Sequence, residues 1–147
     1  MEIMTRDFGK IKIDKSDIIS FDSGLPGFEK LEGFVLLPLA EESPFIVMQA
    51  VDDPDVAFVT VEPGNLIQNY EFEISDKVEK NLKIDSISNL LILNIITLKE
   101  EIEKSTANLS APIVINLEEK LGQQVILDDQ RYQVRCEIFA AAEEVSE

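Results

Sequence analysis

The chain has 147 residues, 45% of them apolar, with 29 acidic against 13 basic side chains and a formal net charge of -16. A chain of this length fits one domain that buries roughly two-thirds of its unfolded surface, so the acidity marks a charged surface and not a disordered chain. With no His and a single Cys, a His-dependent triad, a His-containing zinc site, a thiolate zinc cluster and an internal disulfide are all excluded.

In chain order, Ile11 and Ile13 alternate with Lys12, which predicts a half-buried strand after a turn around Asp7 to Gly9. Ile18 to Phe21 predicts a second short strand. Gly24-Leu25-Pro26-Gly27-Phe28 then forms the sharpest turn signal in the chain. Pro26 presets φ at about −65° and Gly27 supplies a positive φ, as a type II turn requires, so that Phe28 folds back onto the core. Gly24, Pro26 and Gly27 are read as structural; neither Lys nor Ser/Thr follows at the spacing of a phosphate-binding loop.

Phe34 to Leu39, Phe45 to Val51 and Ala57 to Val61 are nearly continuous apolar runs bounded by Pro38, Pro44, Pro54 and Pro63. They are too short for buried helices and read as core strands ended by proline, which cannot donate to a ladder. Ile74, Val78 and Leu82, at i, i+4 and i+8, predict one short helix near residues 76–83, capped by Asp76 with Glu79 three residues later. Leu90 to Leu98 is the next strand, and Lys99 to Lys104 a loop or single turn. Ile113 to Ile115, Gln123 to Leu127 and Tyr132 to Ile138 complete the series. The expected fold is mostly β, a compact antiparallel barrel or sandwich of about ten short strands with one helix. Residues 1–147 form one domain, with an acidic tail from about residue 138.

Charge is distributed unevenly along this frame. Between Lys30 and Lys77 there is no Lys, Arg or His, while Glu32, Glu41, Glu42, Asp52, Asp53, Asp55, Glu62, Glu71, Glu73 and Asp76 fall in the same interval. Such a segment projects a negative field that repels phosphate backbones and attracts basic partners. Asp52, Asp53, Asp55, Glu62, Glu71 and Glu73 are the candidate protein contacts. Asp52-Asp53-Pro54-Asp55 lacks the alternating ligands, central Gly and terminal Glu of a calcium loop. Glu41-Glu42 and Glu100-Glu101 lie in polar stretches with nothing to raise one carboxyl for acid catalysis. No enzyme, cofactor or metal site is expected. The first seven residues lack the apolar stretch of a signal peptide, and Leu90 to Leu98 is too short to span a bilayer. With one Cys, the expected setting is a reducing cytoplasm.

Several segments, taken in order, resemble the flagellar assembly factor family FliW. They are Gly24 to Glu29, Phe34 to Leu39, Ser43-Pro44-Phe45, Asp53-Pro54 leading to Ala57-Phe58, Thr106 to Leu109 with Ala111 to Asn116, and Gly122 to Leu127 with Tyr132. The matches run to about Arg135 and leave the tail outside. The resemblance implies a compact, mostly antiparallel β fold and a non-enzymatic partner switch. Such proteins bind flagellin and the RNA-binding translational repressor CsrA; once flagellin is exported, they capture CsrA and flagellin mRNA is translated. The resemblance favours an allosteric antagonism of CsrA away from its RNA site, whereas plain charge mimicry favours overlap with that site. The competing reading is an acidic nucleic-acid mimic that occupies the RNA or DNA site of a basic protein. Neither reading has the chain itself contact nucleic acid or membrane.

Overall fold

The computed structural model describes residues 1–22, 24–65, 67, 70–85, 89–101 and 104–137. Proline and turn residues divide them into β1 (Glu2–Thr5), β2 (Gly9–Lys12), β3 (Ile19–Ser20), β4 (Gly33–Pro38), β5 (Phe45–Ala50), β6 (Ala57–Val61), α1 (Asp76–Asn81), β7 (Leu90–Thr97), β8 (Thr106–Ala107), β9 (Ile113–Asn116), β10 (Leu121–Gln124) and β11 (Cys136–Glu137). Strands β7-β6-β5-β4-β3-β10-β9 follow one another in a sheet that β9 closes by pairing with β7. The result is a barrel and not a sandwich. All its pairings are antiparallel except β3 with β10.

Closure depends on β7, the longest strand. One edge pairs β6 through Asn94, Ile95 and Ile96. The other pairs β9 through Leu90 to Leu93, then β8 through Ile96 and Thr97. β11 extends the sheet beyond β8.

Alternation along each strand sends one set of side chains into the barrel. Ile19, Phe21, Leu25, Phe34, Met48, Ala50, Leu93, Ile113 and Ile115 fill it, with Phe21 and Phe34 edge-to-face at 5.3 Å. The opposite faces are also apolar, which is why these strands read as continuous runs. Three covers hide them. The β1–β2 hairpin lays Ile3 and Ile13 on Val35. Tyr70, Tyr132 and Leu109 cover Val59, Val61 and Ile96. Helix α1 and its C-cap residue bring Val78 and Leu82 onto Val114, with Phe72, Ile74, Leu121 and Val125 around them.

Several sequence expectations shift. The helix is capped by Ser75, not Asp76: the Ser75 hydroxyl accepts from the Val78 N–H at 3.3 Å, and the helix ends at Asn81. Lys83 then takes a φ of 54°. The strand expected over Gln123 to Leu127 instead spans Leu121–Gln124, because pairing with β9 from Asn116 to Ile113 sets its register. Tyr132 lies before β11, its side chain spent on the cover over Val61, and the end of its expected strand at Ile138 falls outside the described residues. Strands β1 and β8 are additions. The expected acidic tail also lies outside the described residues.

The predicted type II turn forms. The Phe28 N–H donates to the Leu25 carbonyl at 2.7 Å, with Gly27 at φ 85°. Gly24, at φ 63°, lies so close to the next strand of the turn that an added Cβ would sit 2.6 Å from the Phe28 carbonyl oxygen. Phe28 itself stays 37% exposed and meets Phe58 edge-to-face at 5.4 Å.

Two buried polar side chains position the surfaces discussed below. Gln49 is fully buried. Its amide nitrogen lies 3.0–3.3 Å from the carbonyls of Ala50, Asp53, Pro54 and Val56, and its oxygen accepts from the Arg6 N–H at 3.0 Å. One side chain thus ties the β5–β6 loop to the tip of the β1–β2 hairpin. Asn94, also fully buried, donates to the Asn108 carbonyl at 2.9 Å and to the Tyr70 hydroxyl at 3.3 Å. Tyr70 in turn donates to the Leu109 carbonyl.

Gln49→Leu removes the shared partner of these loop carbonyls and of the Arg6 N–H. Leaving buried polar groups unpaired costs about 1–3 kcal/mol each, so chemical denaturation is expected to show a loss of at least about 2 kcal/mol. A variant as stable as the parent would remove Gln49 as the anchor. Burial pushes the Tyr70 hydroxyl up to about 12, against an opposing pull from the Asn94 amide. Folding therefore favours the neutral phenol. That contribution is intact below the unfolded value of about 10 and is lost as pH rises from there through about 12. With two Tyr and no Trp, phenolate absorbance of the folded chain is expected to show a late component that Tyr70→Phe abolishes.

Candidate functional site

The β5–β6 loop carries Asp52, Asp53 and Asp55, and its shape follows from its sequence. The Asp53 carboxylate accepts from the Asp55 N–H at 3.0 Å, and the Val56 N–H returns to the Asp53 carbonyl at 3.2 Å. This is the Asx-type turn that Asp before Pro favours. Asp52 and Asp55 are exposed and Asp53 half-buried. The three therefore share one small surface at the start of β6.

Glu62 leaves β6 at its other end. Five residues of strand at about 3.3 Å each put about 16 Å between the two ends, so Glu62 does not join the Asp52–Asp55 group. Val61, beside it, packs with Tyr70 and Tyr132. Directly after Tyr70 come Glu71 and Glu73, both exposed. The Glu71 backbone is fixed by the Tyr132 hydroxyl, which accepts from the Glu71 N–H at 2.8 Å and donates to its carbonyl at 2.9 Å.

Glu71 and Glu73 line a groove of about 810 Å³, with Phe72 and Ser75 on the same wall. The facing wall is Val125 to Asp129 with Arg131. Asp128 and Asp129 thus belong to the acidic surface, although the cation-free interval did not point to them. They lie more than fifty residues further on, and the packing of Phe72 and Ile74 with Val125, together with the Tyr132–Glu71 hydrogen bonds, brings them beside Glu71.

The positive charge missing from the interval is partly supplied in space. Arg6 donates to the Ala57 carbonyl at 2.7 Å, next to the Asp52–Asp55 loop, and Arg131 lies in the groove. Each is engaged by its own neighbour. Arg6 pairs with Asp7 at 3.0 Å, and Arg131 with Asp129 at 2.8 Å. Hydrogen bonds from the Arg131 side chain and backbone hold the Asp129 carboxyl below the usual range. Among the described residues, none of Asp52, Asp53, Asp55, Glu62, Glu71 and Glu73 is in an ion pair. No group of three or more His, Cys, Asp or Glu side chains among the described residues is arranged to hold a metal ion, and no helix among them is long and apolar enough to cross a membrane.

Comparison with known proteins agrees with this architecture. The family model described as FliW protein matches residues 2–138. The flagellar assembly factor FliW of Thermoanaerobacter pseudethanolicus is 43% identical over 140 residues, covering 95% of this chain and 93% of that protein. The FliW of Caldanaerobacter subterraneus subsp. tengcongensis is 41% identical with the same coverage. That of Bacillus subtilis is 42% identical over 132 residues, covering 90% and 92%. A crystal structure of the flagellar assembly factor FliW superposes with a TM-score of 0.88 at 38% identity, covering 95% of this chain and 97% of that one. The chain belongs to the FliW family of flagellar assembly factors.

Proposed function

We propose that this chain is a cytoplasmic, non-enzymatic protein-binding regulator that alternates between flagellin and the RNA-binding translational repressor CsrA. Bound to flagellin it leaves CsrA free to repress; released, it captures CsrA and flagellin mRNA is translated. Family membership supports the role in flagellar assembly. The observation that carries the reading is that, among the described residues, the carboxylates Asp52, Asp53, Asp55, Glu62, Glu71 and Glu73 form no ion pair.

The chemistry suits a basic partner. A protein that binds RNA must present Lys and Arg to phosphates. Unpaired carboxylates steer such a protein into encounter and suppress wrong partners more than they add raw affinity. The field fades beyond a Debye length of about 8 Å at physiological salt, so whatever these acids do to CsrA they do at close range. The proposed antagonism is allosteric, with RNA and this chain on different parts of CsrA.

Calorimetric titration with purified CsrA and flagellin, each alone and in the presence of the other, tests the switch. Each partner is expected to lower the apparent affinity of the other. Replacing Asp52, Asp53 and Asp55 by Lys is expected to weaken CsrA binding by about tenfold or more and to flatten its salt dependence. Unchanged affinity and salt slope would remove the loop from the interface. With RNA added to the CsrA complex, a ternary complex of reduced RNA affinity is expected. Strict mutual exclusion would favour the mimic reading instead.

A further inference from the structure

The groove between Glu71–Ser75 and Val125–Asp129 has more than charge in it. Beyond β10 the chain stays extended and keeps hydrogen bonding to one side: the Val125 N–H donates to the Pro112 carbonyl at 2.9 Å and the Leu127 N–H to the Ser110 carbonyl at 2.7 Å. In an extended strand successive N–H groups point to opposite edges. Those of Ile126 and Asp128 therefore point away from residues 110–112, and neither makes a hydrogen bond among the described residues. On the facing wall the N–H groups of Phe72, Glu73 and Ile74 also make no hydrogen bond among the described residues, those of Phe72 and Ile74 on one edge and that of Glu73 on the other, and the Tyr132 hydroxyl holds the wall in place at Glu71. Ile126 is 70% exposed, the highest value among the exposed large apolar side chains.

An extended edge with two unspent backbone donors and an exposed apolar residue, beside an acidic wall anchored at Glu71, makes a slot for one more strand. We propose that this groove receives an extended segment of a partner protein by strand addition, and that the segment carries Lys or Arg alternating with apolar residues. Charge selects the occupant. The four acids of the groove face one cation, Arg131, which is paired with Asp129 and also feels Glu71, so the groove keeps a net negative charge. A second copy of this chain, at -16, is repelled. So is its own segment 138–147, which carries Glu143, Glu144 and Glu147 and no Lys or Arg. Alternation matches the pleat of the Glu71–Glu73 wall, where the two acids share one face and Phe72 takes the other, so cations of the added segment meet Glu71 and Glu73.

This inference rests on the reading of the chain as a protein-binding regulator, but it concerns a different surface from the Asp52–Asp55 loop. The probe is a labelled peptide of four Lys-Val repeats, titrated onto the full chain, with a four-fold Glu-Val peptide and a backbone N-methylated Lys-Val peptide as controls. Binding of the Lys-Val peptide alone is expected, with slowed hydrogen exchange at the Ile126 and Asp128 amides. The double variant E71K/E73K, exposed positions whose folding is checked by circular dichroism, is expected to bind at least about tenfold more weakly. Equal binding of the N-methylated peptide would overturn strand addition, as would unchanged exchange at those two amides. Peptide binding only after removal of residues 138–147, or a dimer that the peptide dissociates, would assign the groove to the tail or to a second copy. A wild-type chain that takes the peptide but not CsrA or flagellin would sink the switch and leave the slot standing.

Discussion

Strands β4, β5, β6, β7 and β9 carry apolar side chains on both faces, so the barrel wall has an outer surface to hide as well as an inner one. Phe34, Met48, Leu93 and Ile115 fill the inside, while Val35, Val61 and Val114 face outward into the three covers. Each cover has to be delivered by a connection, and the connections carry the charge. The β1–β2 hairpin that covers Val35 brings Arg6 to the β5–β6 loop. The segment that covers Val61 through Tyr70 continues directly into Glu71 and Glu73. The acidic surfaces are thus placed by the need to bury the outer wall, and their positions are as firm as that packing.

Firmness matters because polar anchors, not hydrophobic contact alone, hold the charged backbone. Gln49 is fully buried, and it donates towards the carbonyls of the Asp53–Val56 turn and accepts from the Arg6 N–H. Tyr132 plays the same part at Glu71 with one hydroxyl acting in both directions. A pre-formed acidic loop loses little freedom when it docks, so more of its electrostatic attraction survives as affinity. The Asn94–Tyr70–Leu109 chain extends this support to the middle of β7, the strand on which closure depends.

Local signals made most of the barrel readable. Proline at the ends of β4 to β6, the unbroken apolar runs and the Leu25–Phe28 turn each report a short-range preference, and each element formed where that preference is strongest. Closure itself was not readable, since β7 with β9 is a pairing between distant segments that no spacing announces. The helix cap moved from Asp76 to Ser75 because both residue types cap well and tertiary docking of Val78 and Leu82 chose between them. The same limit applies to the candidate site. The cation-free interval led to Glu71 and Glu73, but Asp128, Asp129 and Ile126 join them only through the fold. Nor did the interval show that Arg6 and Arg131 stand beside the acids, each already held by an aspartate.

The layout constrains how one small barrel serves two partners in the proposed switch. The Asp52–Asp55 loop lies at the start of β6 and Glu62 at its end, about 16 Å apart by strand length, roughly twice the Debye length at physiological salt. Charge placed on one end by a bound partner is largely screened at the other, so two ligands confined to opposite ends would scarcely sense each other electrostatically. Mutual exclusion then requires that at least one partner span the distance. A standard interface covers about 800 Å² on each side, a patch about 28 Å across, which is wide enough. Exclusion by overlap of footprints is therefore the simpler mechanism here, and it needs no conformational change in a barrel whose wall is packed on both faces.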